Sequence, residues 1–361
     1  MNAVARWYRF ARQEGLRKTV DRLIGRLNKL NFVQFGIRSL MLPSRVRHLS
    51  GPRTVSCGPD ELIAISVMRN GELWLRSFLA HHRRIGISHF VILDNGSTDA
   101  TIPLLQAQDD VTLLSTDAPY HAYENTMKRY LADRFCRDRW CLCVDVDELF
   151  DYPFSTRVPL AGLLGYLNSK GFNAVITQML DMFGEEPLRE QVSEPHDDLR
   201  RRYPFYDISD IARTVYPFPV PDPRIRMHHG GIRKTMFGTR NGITKISLFC
   251  MDGKIEPFVW WHHARNAVIA DVAGVLLHFP FVGSFYAKVV DAVRTGTYGY
   301  LTSDEYASYL KGLERSPDLR LKQPTARELL DVDQLLDEEI MVASDDYRRL
   351  AESEETAASV G

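Results

Sequence analysis

Apolar and polar residues alternate in blocks along the middle of the chain, and the blocks predict elements. Leu62–Met68 (LIAISVM) is a continuous apolar run of strand length. Residues 71–86 place Leu75, Phe78, Leu79, His82 and Ile85 on one helical face. HFVILD (89–94) predicts a second strand, 101–108 a short helix, VTLLS (111–115) a third strand and 120–135 a helix. In 140–147, Trp140, Leu142, Val144 and Val146 alternate with Cys141, Cys143, Asp145 and Asp147, which is the period of a strand. Strand, helix, strand at these lengths predicts an α/β fold with a mostly parallel central sheet and helices on both faces. After Pro153 the pattern predicts a helix at 159–169, strands at 174–180, 243–250 and 274–279, and a helix at 283–295. Residues 185–225 read as irregular, and no internal repeat is visible.

The two ends differ from this body. Residues 4–30 carry Val4, Trp7, Ala11, Leu16, Val20, Leu23, Leu27 and Leu30 on one helical face, with arginines filling much of the rest. Such a helix can lie on an anionic membrane surface or pack on the protein's own body. Residues 43–60, rich in Pro, Ser and Gly, predict a linker, and residues from about 303 a helical acidic tail frayed after Ala343. The expected organisation is an N-terminal helix and linker (1–60), a main domain (61–300, divided near 152) and the tail (301–361).

Composition adds limits. The 361 residues are 45% hydrophobic and 25% charged with a formal net charge of −1, so no overall basic field for nucleic acid exists. The charge is uneven: residues 1–32 hold eight Lys/Arg against two acids, and 303–361 hold fifteen acids against seven Lys/Arg. Five cysteines without framework spacing predict reduced thiols and a cytoplasmic setting, with contact at the inner face of the membrane if residues 4–30 bind lipid. No apolar run reaches the length of a membrane span, and no signal-peptide pattern opens the chain.

In a parallel sheet, ligands bind beyond the C-terminal strand ends. That rule gathers Met68-Arg69-Asn70, Asp94-Asn95-Gly96-Ser97-Thr98-Asp99 and Asp145-Val146-Asp147 at one edge. Carboxylates crowded there repel unless a proton or cation intervenes. Taken singly, DNGSTD is as good a helix cap as a ligand loop, since Ser97 and Thr98 cap helices well.

As a set, "VMRNGELWLRSFLAHHRRIGI", "FVILDNGSTDAT" and "WCLCVDVDELF" resemble the nucleotide-binding half of glycosyltransferase family 2-like proteins, which have the GT-A fold. The resemblance continues more thinly through "MFG" (182–184), "HHA" (262–264) and "LHFPF" (277–281). It implies transfer of a sugar, with inversion, from a UDP- or GDP-type nucleotide-sugar donor to a hydroxyl acceptor on a glycan, a lipid-linked glycan or a protein. It also implies Mn2+ or Mg2+ at the acids, since hard cations choose carboxylate oxygen and neutralise a departing diphosphate. By resemblance Asp147 ligates the metal, and Asp145 contacts ribose or reaches the metal through water. Glu148 turns toward the sugar or supports the ligands. Asp94 meets the nucleobase, with Asn95 standing where a second Asp is usual. Arg69 and Asn70 lie near the nucleotide, His278 reaches the metal or diphosphate, and His263 of the His262-His263 pair faces sugar or diphosphate. For both His278 and His263 a structural role is the competing reading.

A base must take the acceptor's proton. Asp181, just after strand 174–180, is the first candidate, with Glu185 and Glu186 as competitors and Glu148 within the acid motif. His82 reads as a core residue, and His228-His229-Gly230-Gly231 as a loop. Two alternatives stay open: a metal-dependent nucleotidyltransferase, which would want a Gly-rich basic loop where MRNGE stands, and a non-catalytic binding protein of the same fold.

Overall fold

The computed structural model describes residues 35–360 except 192, 240, 261–262, 284 and 297–299. The predicted helix over 4–30 therefore lies outside the described residues. The chain divides into two units, Met1–Arg45 and Val46–Gly361. In the first, residues 35–45 are helical.

The second unit is built on a nine-stranded sheet in the order β1-β4-β3-β2-β5-β11-β7-β14-β6. Its strands are β1 (Val46–Ser50), β2 (Leu62–Met68), β3 (His89–Asp94), β4 (Val111–Thr116), β5 (Trp140–Cys143), β6 (Glu148–Asp151) and β7 (Ala174–Asp181). Short pairs follow, using β8 (Phe205–Tyr206), β9 (Ile211–Val215) and β10 (Arg226–Gly230), before the sheet resumes with β11 (Thr244–Cys250). β12 (Glu256–Trp260) and β13 (His263–Arg265) form a hairpin, β14 (Ile269–His278) re-enters the sheet, and β15 (Arg327–Glu328) pairs with β8. β2, β3, β4, β5, β7 and β14 run one way, while β1, β11 and β6 run against them. The expected α/β fold with a mostly parallel sheet is the one the chain has.

Every residue of β2 and β3 is buried, so both faces of the sheet are covered. On one face, Leu62, Ala64 and Met68 join a core with Trp74, Leu75, Phe78 and Leu79 of the helix Glu72–Arg84. The helix Tyr120–Phe135 lies against β2 and β3 and buries Met127 and Leu131. His82 is a core histidine, as expected: its Nδ1–H donates to the Phe78 carbonyl (2.8 Å) and its Nε2 accepts the Phe150 N–H (3.2 Å). Burial holds it neutral, well below the usual imidazole range.

Three expectations need correction. Residues 46–50 are not linker; they form β1, antiparallel to β4, because Pro and Ser around them mark a strand's ends rather than a flexible tether. The tail is not an appendage either. Ala273 and Val342 exchange backbone hydrogen bonds (2.8 and 3.1 Å), and Val332, Leu335, Ile340, Tyr347 and Ala351 are buried in the main core. The final helix runs from Asp345 to Val360, where fraying was expected. Finally, His228 and His229 lie in β10, paired with β9, and not in a loop.

Candidate active site

The chain steps outward from β2 to β3 and β4, then returns through the helix Tyr120–Phe135 to β5 on the other side of β2. Connections leaving β2 and β5 in opposite directions open a crevice at their C-terminal ends, the place where open α/β sheets bind ligands. The acid motif Asp145–Glu148 is the first thing after β5. It makes a tight turn, with the Glu148 N–H donating to the Asp145 carbonyl (3.0 Å) and the Asp145 N–H donating to Glu148 Oε2 (3.1 Å). β6 then pairs with β14 so that Glu148 stands opposite His278, and β14 pairs with β7 so that His278 stands opposite Asp181. Strand register thus brings together three acidic or imidazole side chains separated by up to 130 positions in sequence.

The acids divide into two charge groups. In the first, Asp145 lies 3.3 Å from Lys128 Nζ and 3.6 Å from Lys245 Nζ. Lys128 also meets Glu124 (3.0 Å), and Lys245 donates to Glu148. Burial pushes Lys245 down, but Glu148 and Asp145 outweigh it and the ammonium is held charged. Burial raises Glu148 against the pull of Lys245. Asn125, Cys143, Ser247 and Phe258 line the same small cavity.

In the second group, His278 sits between two carboxylates. Its Nδ1–H donates to Asp181 Oδ1 (2.6 Å), and its Nε2 lies 3.6 Å from Asp147 Oδ2. Asp181's other oxygen accepts from Arg233 Nε (2.7 Å), and Arg233 Nη1 lies 3.2 Å from Glu305, which also accepts from Tyr309. Lys288 Nζ stands 3.9 Å from Asp147 Oδ2 and 5.5 Å from the Trp74 ring. Burial pushes His278 down, but Asp147 and Asp181 outweigh it and raise it to about 9. Burial would raise Asp147, yet His278 and Lys288 hold it low; Arg233 and His278 do the same for Asp181.

Among the described residues no three His, Cys, Asp or Glu side chains form a cluster able to hold an ion, so the expected trio of Asp145, Asp147 and His278 does not converge. Asp145 is drawn away by its lysines. Asp147 and His278 do fit as a pair. The histidine's far nitrogen is fixed by a carboxylate, as metal-ligating histidines are, leaving Nε2 directed at Asp147.

The two earlier loops are tied to each other beside the acid turn. The Asn70 N–H donates to Ser97 Oγ (2.8 Å), Asn70 Oδ1 accepts the Thr98 N–H (2.8 Å), and Gly71 N–H donates to Thr101 Oγ1 (2.7 Å). A Cβ on Gly71 would sit 3.1 Å from Val146 Cγ2, so this loop lies directly on the acid turn. Asp94 and Asn95, expected at a nucleobase, are engaged in building the loop. Asp94 is 1% exposed and accepts from the Gly96 (2.9 Å) and Ser97 (3.1 Å) N–H groups. Asn95 Nδ2 donates to the Thr116 and Ala118 carbonyls. Arg69 is exposed.

His263 is held by aromatic side chains: its Nδ1 meets the Tyr216 hydroxyl (3.0 Å), and its ring packs at the edges of Tyr216 and Phe218. His262 lies outside the described residues. Glu185 and Glu186 are paired with Lys322 and Arg202 and are not in the cluster. Sequence reading missed Lys128, Lys245, Arg233 and Lys288. A signal existed for Lys245: it interrupts the apolar strand TKISLFC, where a charge is tolerated only with a partner.

No protein-family model and no curated protein matches the chain. Among solved structures, a 4-diphosphocytidyl-2C-methyl-D-erythritol synthase is similar at 10% identity, covering 74% of this chain and 95% of its own, with a TM-score of 0.26. A UDP-glucose pyrophosphorylase from Acinetobacter baumanii is similar at 10% identity, covering 70% and 83%, also with a TM-score of 0.26. At that level of superposition neither bears on what this chain does.

Proposed function

We propose that the chain transfers a sugar from a nucleoside-diphosphate sugar to a hydroxyl acceptor. The observation that carries the reading is the acid turn Asp145–Glu148 at the crevice between β2 and β5, with cationic side chains fixed on both sides of it. In such a transfer negative charge grows on the leaving diphosphate while the sugar becomes cation-like. A crevice that holds carboxylates and cations in fixed positions suits both changes, because the dipoles need not reorganise as charge moves.

Asp147 and His278 Nε2 would hold Mn2+ or Mg2+, and the ion when bound supplies positive charge for the diphosphate. Asp181 acts through His278: both its oxygens are occupied and it is 5% exposed, so it orients the imidazole and does not take the acceptor's proton. Glu148, with one oxygen on Lys245 and the other on the Asp145 N–H, fixes the turn in the same way. Lys128 and Lys245 hold Asp145 in place. Lys288, partly exposed on the helix Phe285–Thr295, places a second cation 3.9 Å from Asp147. Arg69, exposed beside Asn70, can meet phosphate with two donors.

The test is incubation of the full chain with Mn2+ or Mg2+ and a panel of UDP-, GDP- and other nucleotide-sugars, reading the small product. Free nucleoside diphosphate supports glycosyl transfer to acceptor or water. In a parallel incubation with nucleoside triphosphates and sugar phosphates, pyrophosphate release identifies a nucleotidyltransferase instead. No product from any donor contradicts the proposal.

A further inference from the structure

The first unit carries a surface that the chemistry above does not use. In the helical residues 35–45, Ile37, Leu40 and Met41 are 51%, 83% and 50% exposed. Their spacing, three and then one, puts them on one stripe of the helix. Large apolar residues exposed singly are ordinary; a helical stripe of three is a surface that burial would stabilise. Arg38 and Arg45 fall three before and four after Met41, so arginines border the stripe on the polar side.

The surrounding charge identifies the kind of surface that fits. From Arg22 to Pro59 there is no Asp or Glu, and seven positions are Lys or Arg. A second copy of the chain would bring two such segments together and repel. An anionic bilayer complements them, taking the apolar stripe to the headgroup–acyl boundary while arginine stems reach outward to lipid phosphate. The sequence ahead of the stripe continues the same character, with arginines among Leu16, Val20, Leu23, Leu27 and Leu30. Among the described residues no helix is long and apolar enough to cross a membrane, so any lipid contact by them is at the surface.

We propose that the stripe Ile37, Leu40 and Met41, bordered by Arg38 and Arg45, docks the chain on the surface of an anionic lipid bilayer. The experiment is co-sedimentation of the full chain with phosphatidylcholine vesicles, with and without phosphatidylglycerol, at low and high salt. The chain should pellet with the anionic vesicles, and less so at high salt. The triple variant Ile37→Glu, Leu40→Glu, Met41→Glu should partition at least about tenfold more weakly, since each lost apolar anchor is worth roughly a factor of ten. All three side chains are exposed, so its circular dichroism and elution volume should match the parent. A second variant, Arg38→Glu with Arg45→Glu, should weaken anionic binding while leaving any binding to neutral vesicles unchanged. Three results overturn the proposal: no pelleting of the parent, equal partition of parent and triple variant, or a parent dimer in solution that the triple variant dissolves.

Discussion

Asp145 and Asp147 are two residues apart, yet the fold treats them as opposites. Asp145 is locked between Lys128 and Lys245, both almost fully buried, with Glu148 completing the group. Asp147 faces a histidine braced from behind by Asp181 and Arg233, and a lysine that is one-third exposed. One acid is held by two buried lysines. The other is held by a partly exposed lysine and a histidine, which can change protonation. An acid-x-acid motif therefore has two surroundings here, an anchor and, under the proposed function, a ligand position, and each fails in its own way.

The largest expected effect lies on the anchor side. Lys245→Met leaves Glu148 buried without its partner, which costs about 3–5 kcal/mol of stability in comparable cases. Urea unfolding should show that loss, and Lys245→Met combined with Glu148→Gln should recover much of it. A single variant as stable as the parent would mean that the pair is not the anchor.

The next effect lies on the ligand side and depends on pH. In chelator-treated protein, His278 is raised from 6.5 to about 9, as Asp147 and Asp181 outweigh burial. A folded-state pKa above the unfolded value gives stabilisation that is complete below pH 6.5 and is lost as pH rises through about 9. Stability should thus fall by up to about 3 kcal/mol across that window. His278→Gln should flatten the slope. A parent protein equally stable at both ends of the window would contradict the paired histidine.

The smallest effect concerns the open rim. Arg69→Ala should weaken nucleoside-diphosphate binding by about 1.5–3 kcal/mol, as for a lost hydrogen bond to a charged group. Its stability should stay within about 0.5 kcal/mol of the parent, because the residue is exposed. Unchanged affinity in calorimetry would remove Arg69 from the donor's surroundings.

The same contrast explains what could be read from the sequence. The first half of the sheet was legible because β2, β3 and β4 are local, apolar and separated by helices of ordinary length. The placement of Asp145, Asp147, Asp181 and His278 at one edge was also legible, though not their roles, because each stands at or just past a strand end, and strand ends of one parallel sheet share an edge. Their partners were not. Lys128 sits mid-helix and Lys245 mid-strand; only the antiparallel insertion of β11 between β5 and β7 brings Lys245 to the acid turn. Asp94 could not be decided either. DNGSTD suits a ligand loop and a self-capped turn equally well, and the self-capping appears only in the hydrogen bonds from Gly96 and Ser97. The acidic tail misled for a related reason: Tyr347 and Ala351 bury one face of a helix whose exposed face supplies all the charge.

The most direct measurement is calorimetric titration of UDP and GDP into the parent, Asp147→Asn and Asp145→Asn, each with Mn2+ and with chelator. The parent should bind one of the nucleotides more tightly with Mn2+, Asp147→Asn should lose this dependence, and Asp145→Asn should keep it despite lower stability. A parent that binds neither nucleotide, or an Asp147→Asn variant with undiminished metal dependence, would contradict the proposal.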